Sequence, residues 1–257
     1  MSILRCCLYF FLWLVAQIIA VNLTAVLISM RFPGLDQVGL NEMLNQLMVE
    51  MNIITGCITV LLLALFSKLT KTTLSKQAYI NKYESGFSFA FVIMGVATAY
   101  SVALALGLFE MAGMIPDSWI QVQEQTYSDV NNASGLMQFF SVGLVAPVAE
   151  EILFRGFMLG ALKKEMHPWV AIGVSALAFG VAHGTPLGMI YATGLGVLMG
   201  WLAVRFNSIV PSMIFHVAYN CTQAYSDGIS LIVAVISVPI LVLEIRSINK
   251  HFRGKKE

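Results

Sequence analysis

Apolar residues gather in long runs, broken by short polar stretches, and the runs predict membrane-spanning helices. A helix needs about 20 apolar residues to cross a bilayer. The pattern predicts eight spans, at about 6–30, 46–67, 86–113, 136–162, 169–184, 187–204, 208–226 and 229–248. The fifth and sixth are short, and Gly184-Thr185-Pro186 marks a turn between them. The fold class expected is all-α: a polytopic helical membrane protein with a buried polar site. Two segments are distinguished. Residues 1–130 hold the N-terminal spans and a polar loop without a recognisable motif; residues 131–257 hold a helical core and a tail.

Polar stretches between the runs set the topology. Lys68, Lys71, Lys76 and Lys82 follow the second span, Lys163 and Lys164 the fourth, and Arg205 the sixth. The tail carries Arg246, Lys250, Arg253, Lys255 and Lys256. The connection after the third span has Asp117, Glu124 and Asp129, and the one after the seventh has Asp227; neither has a Lys or Arg. Positive charge on alternate connections is the positive-inside pattern, which predicts both termini cytoplasmic. Arg31, beside Asp36 and Glu42, is the dissenting charge. The apolar run from Cys6 to Met30 is longer than a signal-peptide core and lacks a clear cleavage site, so it is read as a retained first span. The polar segment from Ile115 to Ser134 is a surface helix or a lid, and its Asn132-Ala133-Ser134 fits a weak glycosylation sequon.

Composition agrees with this picture. Of 257 residues, 58% are hydrophobic and 11% charged, against about 25% charged in a soluble domain. A net charge of +1 gives no electrostatic case for nucleic acid. Cys6, Cys7, Cys57 and Cys221 form no CxxC pair and read as small core hydrophobes.

The spans contain few titratable groups. Glu50, Glu110 and Glu244 lie near span ends, where a side chain reaches the interface. Glu150, Glu151 and Arg155 do not: they stand in the apolar run from Leu136 to Leu162, roughly 18 Å from Lys163 at the rise of a helix. A charge at that depth costs from roughly 3 to over 10 kcal/mol. Such groups persist by pairing, by binding something or by doing chemistry. The four-residue spacing of Glu151 and Arg155 predicts a same-face ion pair, which leaves Glu150 the freer carboxylate. His183 closes the fifth span; His216 and Asn220 share one face of the seventh. Alone, either histidine reads as a packing residue. Two histidines and a Glu-Glu pair on different helices read as a site. Counted straight from Lys164, His183 lies roughly 28 Å along its helix, further out than Glu150; a start at Pro168-Trp169 brings it closer.

These residue types suit hydrolysis in two ways. Glu150, His183 and His216 could hold a divalent metal, Zn²⁺ first, with a position left open for water. Without a metal, a desolvated glutamate beside a histidine activates water, and His216 and Asn220 donate to an oxyanion. The HExxH pattern is absent.

The order Glu150-Glu151-x-x-x-Arg155, Phe179-x-x-x-His183, His216-x-x-x-Asn220 resembles the intramembrane proteases grouped as CAAX proteases and bacteriocin-processing enzymes, the CPBP or Abi family. The resemblance covers about residues 136–225. It implies an intramembrane endopeptidase, with or without a metal, acting on a membrane-associated peptide or protein. Carried over by position, Glu150 and His183 activate water. His216 and Asn220 bind metal or stabilise the oxyanion. Glu151 and Arg155 support the site, and Phe179 packs beside His183. The compact chain is expected in a bacterial plasma membrane. The alternative is a non-catalytic membrane partner or immunity protein that binds a kinase, transporter or bacteriocin.

Overall fold

The structure, a computed structural model, describes residues 2–132, 134–225 and 231–254. Ala133 of the sequon, Asp227, positions 229–230 of the expected eighth span and the tail residues Lys255 and Lys256 lie outside them. Among the described residues every regular element is helical. The chain is a polytopic helical membrane protein. The main elements are α1 (Ser2–Arg31), α2 (Gln37–Gln46), α3 (Met48–Leu69), α4 (Leu74–Gln77), α5 (Ser88–Met111), α6 (Asp117–Asn132), α7 (Gly135–Leu162), α8 (Pro168–Ala182), α9 (Pro186–Arg205), α10 (Val210–Tyr225) and α11 (Leu231–Gly254).

Six of these, α1, α3, α5, α7, α9 and α11, are long and apolar enough to cross a membrane. The 15-residue α8 is apolar but shorter. With α10 they make the eight expected segments. The sixth was expected to be short, yet α9 reaches 20 residues, because Thr185 caps it by accepting from Gly188 N and Pro186 fits its first turn. Gly184 stands between α8 and α9 at φ +72°, a conformation that suits glycine, so the expected turn forms there. Outward faces carry exposed apolar side chains such as Leu65, Phe89, Leu177 and Ile232, as helices in lipid must. Cys6 is buried, whereas Cys7 and Cys57 lie on that outer surface rather than in the core.

Aromatic contacts join the two segments. Tyr9 of α1 meets Phe66 of α3 and Phe157 of α7 edge-on, with centroids 5.4 and 5.2 Å apart. On the other side α5 lies against α10 and α11. Gly95 makes the first contact possible, since a Cβ there would strike the Phe215 carbonyl and lie 2.8 Å from Ala218 Cβ. Ser101 and Ser237 share a hydrogen bond of 3.0 Å at the second.

The lysine-bearing end is knitted shut. Ile209 N donates to the Tyr79 carbonyl at 3.1 Å, Asn81 Nδ2 to Asn207 O at 2.7 Å and Ser208 Oγ to Asn81 O at 2.8 Å. Lys163 stands over the Tyr79 ring at 3.7 Å. Burial there pushes the Lys163 ammonium below the usual lysine range, and the like charge of Lys164 adds to this. At the opposite end, the polar segment forms a surface helix, α6. It is tied down by Gln123, whose Oε1 accepts from Thr185 Oγ1 and whose Nε2 donates to Tyr191 OH at 3.3 Å.

Candidate active site

The site begins with an irregularity in α7. Residues Phe139–Val145 and Glu151–Leu159 are wound as π-helix, on either side of an α-helical stretch Ala146–Glu150. π turns often accompany functional sites. Here a cause is visible. Ala146 N donates to Ser141 O, a five-residue step. By the same step the Val142 carbonyl would accept from Pro147, which has no N–H. It accepts instead from Asn220 Nδ2 of α10, at 2.9 Å. Pro147 thus leaves a carbonyl open, and Asn220 closes it. That bond uses one of the two amide hydrogens and leaves the other.

The two glutamates part at the junction. Glu151 is fully buried, with Oε1 3.1 Å from Arg155 Nη1 and 3.2 Å from His216 Nδ1. The expected same-face ion pair therefore forms. The Arg155 guanidinium stands over the Phe179 ring, its Cζ 4.2 Å from the centroid. The Glu150 side chain is 28% exposed, and Oε2 stands 3.7 Å from His216 Nε2. His216 is therefore held between a buried carboxylate on one ring nitrogen and a cavity-facing carboxylate near the other.

The cavity has a volume of about 520 Å³ and is lined by Glu150, His183, His216 and Asn220 together with residues of α1, α3, α5, α6 and α9. His183 caps the C-terminus of α8, with Nδ1 2.9 Å from the Phe179 carbonyl. Because α8 starts at Pro168, His183 lies about 22 Å along it rather than 28 Å, and it reaches the same cavity as Glu150. Phe179 is buried and meets His183 and His216 edge-on, at 4.7 and 5.7 Å. The structure therefore brings all the sequence-expected residues together. The surprise lies in the pairing: His216 is the imidazole placed between the two glutamates.

A metal needs converging donors. Among the described residues no three His, Cys, Asp or Glu side chains form a group that could hold one. Glu150, His183 and His216 line one cavity without closing into such a group, and the Phe179 carbonyl holds His183 Nδ1, which leaves Nε2 open to other partners.

Sequence reasoning missed the opposite wall. Asn52, Thr55, Gly56 and Thr59 of α3 line the cavity. Their spacing, i, i+3, i+4 and i+7, was the available signal: a polar stripe on one face of an apolar helix.

Comparison with known proteins agrees with the motifs. Residues 132–222 match the family model described as type II CAAX prenyl endopeptidase Rce1-like. The chain is 30% identical over 96 residues to the "Putative membrane peptidase YdiL" of Bacillus subtilis, a stretch covering 37% of this chain and 39% of that protein. It is 27% identical over 86 residues to the "UPF0177 protein YxdF" of Lactococcus lactis, covering 33% of this chain and 47% of that one. The chain thus spans less than half the length of these curated relatives. No solved structure matches it. The resemblance read from the three motifs is borne out over the part of the chain that carries them.

Proposed function

We propose that this protein is an intramembrane endopeptidase that hydrolyses a peptide bond of a membrane-associated peptide or protein. One observation carries the reading: Glu150 is a cavity-facing carboxylate at membrane depth, beside a histidine whose far nitrogen meets a buried glutamate. The match to a CAAX endopeptidase model supports it, as does the similarity to a protein described as a membrane peptidase.

In this reading Glu150 takes a proton from water as His183 orients it, and the hydroxide adds to the substrate carbonyl. The oxyanion accepts from the second Asn220 Nδ2 hydrogen and from Nε2–H of a doubly protonated His216, whose Nδ1–H is given to Glu151. Collapse of the intermediate breaks the C–N bond, and Glu150 returns the proton to the leaving amine. Glu151 and Arg155 hold His216 in place. No step uses a metal. Both termini are assigned to the cytoplasm of a bacterial plasma membrane, on the alternation of basic connections.

The test compares new peptide termini in host membranes expressing wild type or Glu150→Ala at matched levels. Termini found only with wild type establish hydrolysis. Identical sets, with both proteins rescuing a deletion phenotype, replace the enzyme by a non-catalytic binding partner.

A further inference from the structure

The surface helix α6 covers the cavity at the end away from the lysines, and little apolar packing holds it there. Of its described side chains, Trp119, Ile120 and Gln123 are partly buried and the others are exposed. The apolar α8, of similar length, buries Ala171, Ile172, Ala176 and Phe179. An element with so little buried apolar surface opens at low free energy. Gln123 and Thr126 nevertheless line the cavity, so α6 closes it with polar side chains.

Its seat is built beside His183. Gln123 Oε1 accepts from Thr185 Oγ1, and Gln123 Nε2 donates to Tyr191 OH at 3.3 Å. Thr185 is 2% exposed, and its hydroxyl is used both ways, since it also accepts from Gly188 N at 3.1 Å. Gly188 makes the seat small enough. A Cβ there would lie 2.5 Å from Thr185 Oγ1, 3.3 Å from His183 Cβ and 3.6 Å from Gln123 Oε1. The amide of α6, the threonine that receives it and the histidine thus meet around one glycine.

Both partners of Gln123 bear on His183. Thr185 N donates to the His183 carbonyl at 2.9 Å. The Tyr191 ring stands edge-on to the imidazole with centroids 6.2 Å apart, and Phe179 meets it at 4.7 Å. Because the Phe179 carbonyl holds Nδ1, the set of the ring decides where Nε2 points.

We propose that α6 is a lid and Gln123 a positioning residue: seating the lid on Thr185 and Tyr191 sets the His183 imidazole, and lifting it opens the cavity and releases that ring. Closure and completion of the site are then one motion, so the water-orienting group is in place only when the cavity is covered. This assignment rests on the peptidase reading for the role of His183 and on the α6 contacts for the latch.

The test uses the full chain in detergent micelles and two readouts that need no substrate. Hydrogen exchange with mass spectrometry reads the lid. Histidine-selective 15N NMR reads the rings of His167, His183, His216 and His251, assigned by single His→Gln variants. Gln123→Leu raises exchange in α6 about tenfold or more. It also shifts or broadens the His183 ring signal, while those of His167 and His251 stay in place. Thr185→Ser keeps the hydroxyl and leaves both readouts as in wild type. A merely structural Gln123 would lower the unfolding temperature without moving His183. Should Gln123→Leu fail to fold, Tyr191→Phe removes one of the two lid bonds while keeping the ring, and the same two readouts decide. An unmoved His183 signal, or α6 exchange no faster than wild type, overturns the latch. Peptide termini from the same variants, against Glu150→Gln, report separately on the peptidase reading. A displaced His183 without Glu150-dependent termini keeps the latch and sinks the enzyme; Glu150-dependent termini with His183 unmoved do the reverse.

Discussion

At the scale of single residues, Glu150 and Glu151 have the same chemistry and opposite duties. Glu150→Gln removes a cavity-facing base, so cleavage falls by about a hundredfold to ten-thousandfold while thermal unfolding in detergent barely moves. Glu151→Gln leaves the Arg155 guanidinium buried without its counter-charge and destabilises the protein by about 3–5 kcal/mol, read in the same unfolding experiment. Phe179→Leu removes the ring under that guanidinium and costs about 0.5–2 kcal/mol. This division was legible in the chain before any coordinates, because the four-residue step to Arg155 singles out Glu151. The role of Asn220 was not. Its partner is a carbonyl 78 residues away, opened by a proline whose effect depends on local helix winding.

At the scale of elements, α7 is the helix most changed by its sequence. Pro147→Ala restores an N–H five residues beyond Val142, which then competes with Asn220 for that carbonyl. The expected outcome is unchanged or higher thermal stability with cleavage reduced about tenfold to a hundredfold, since a small displacement of an oxyanion donor is enough. Gly95→Val tests the crossing that seats His216: its Cβ meets the backbone of α10, so it lowers stability by about 1–3 kcal/mol or more in thermal unfolding. Span positions were legible because bilayer thickness imposes a length on apolar runs. The π stretches were not, since winding leaves apolar content unchanged. The α3 stripe was legible in its periodicity, but mean hydropathy averages three polar positions away.

At the scale of the whole molecule, one end is closed by Tyr79, Asn81, Asn207 and Ser208, while the other is covered by α6 through Gln123. If the basic end faces the cytoplasm, protease added to sealed, right-side-out vesicles leaves a C-terminal tag intact and cuts it only after lysis. Removal of tag from intact vesicles reverses the orientation. Incubation with a strong chelator leaves cleavage unchanged in the metal-free reading; loss of activity that Zn²⁺ restores would instead assign Glu150, His183 and His216 to the ion.

The cavity draws its reacting groups from α7, α8 and α10 and its neutral hydrogen-bonding wall from α3, which lies outside the stretch matched by the family model. If α7, α8 and α10 carry the chemistry and α3 the selectivity, the two are written on separate pieces of one chain. A hybrid that keeps residues from 134 onward but borrows its first three helices from a relative should cut with the same machinery and choose differently. New diets then need no new teeth.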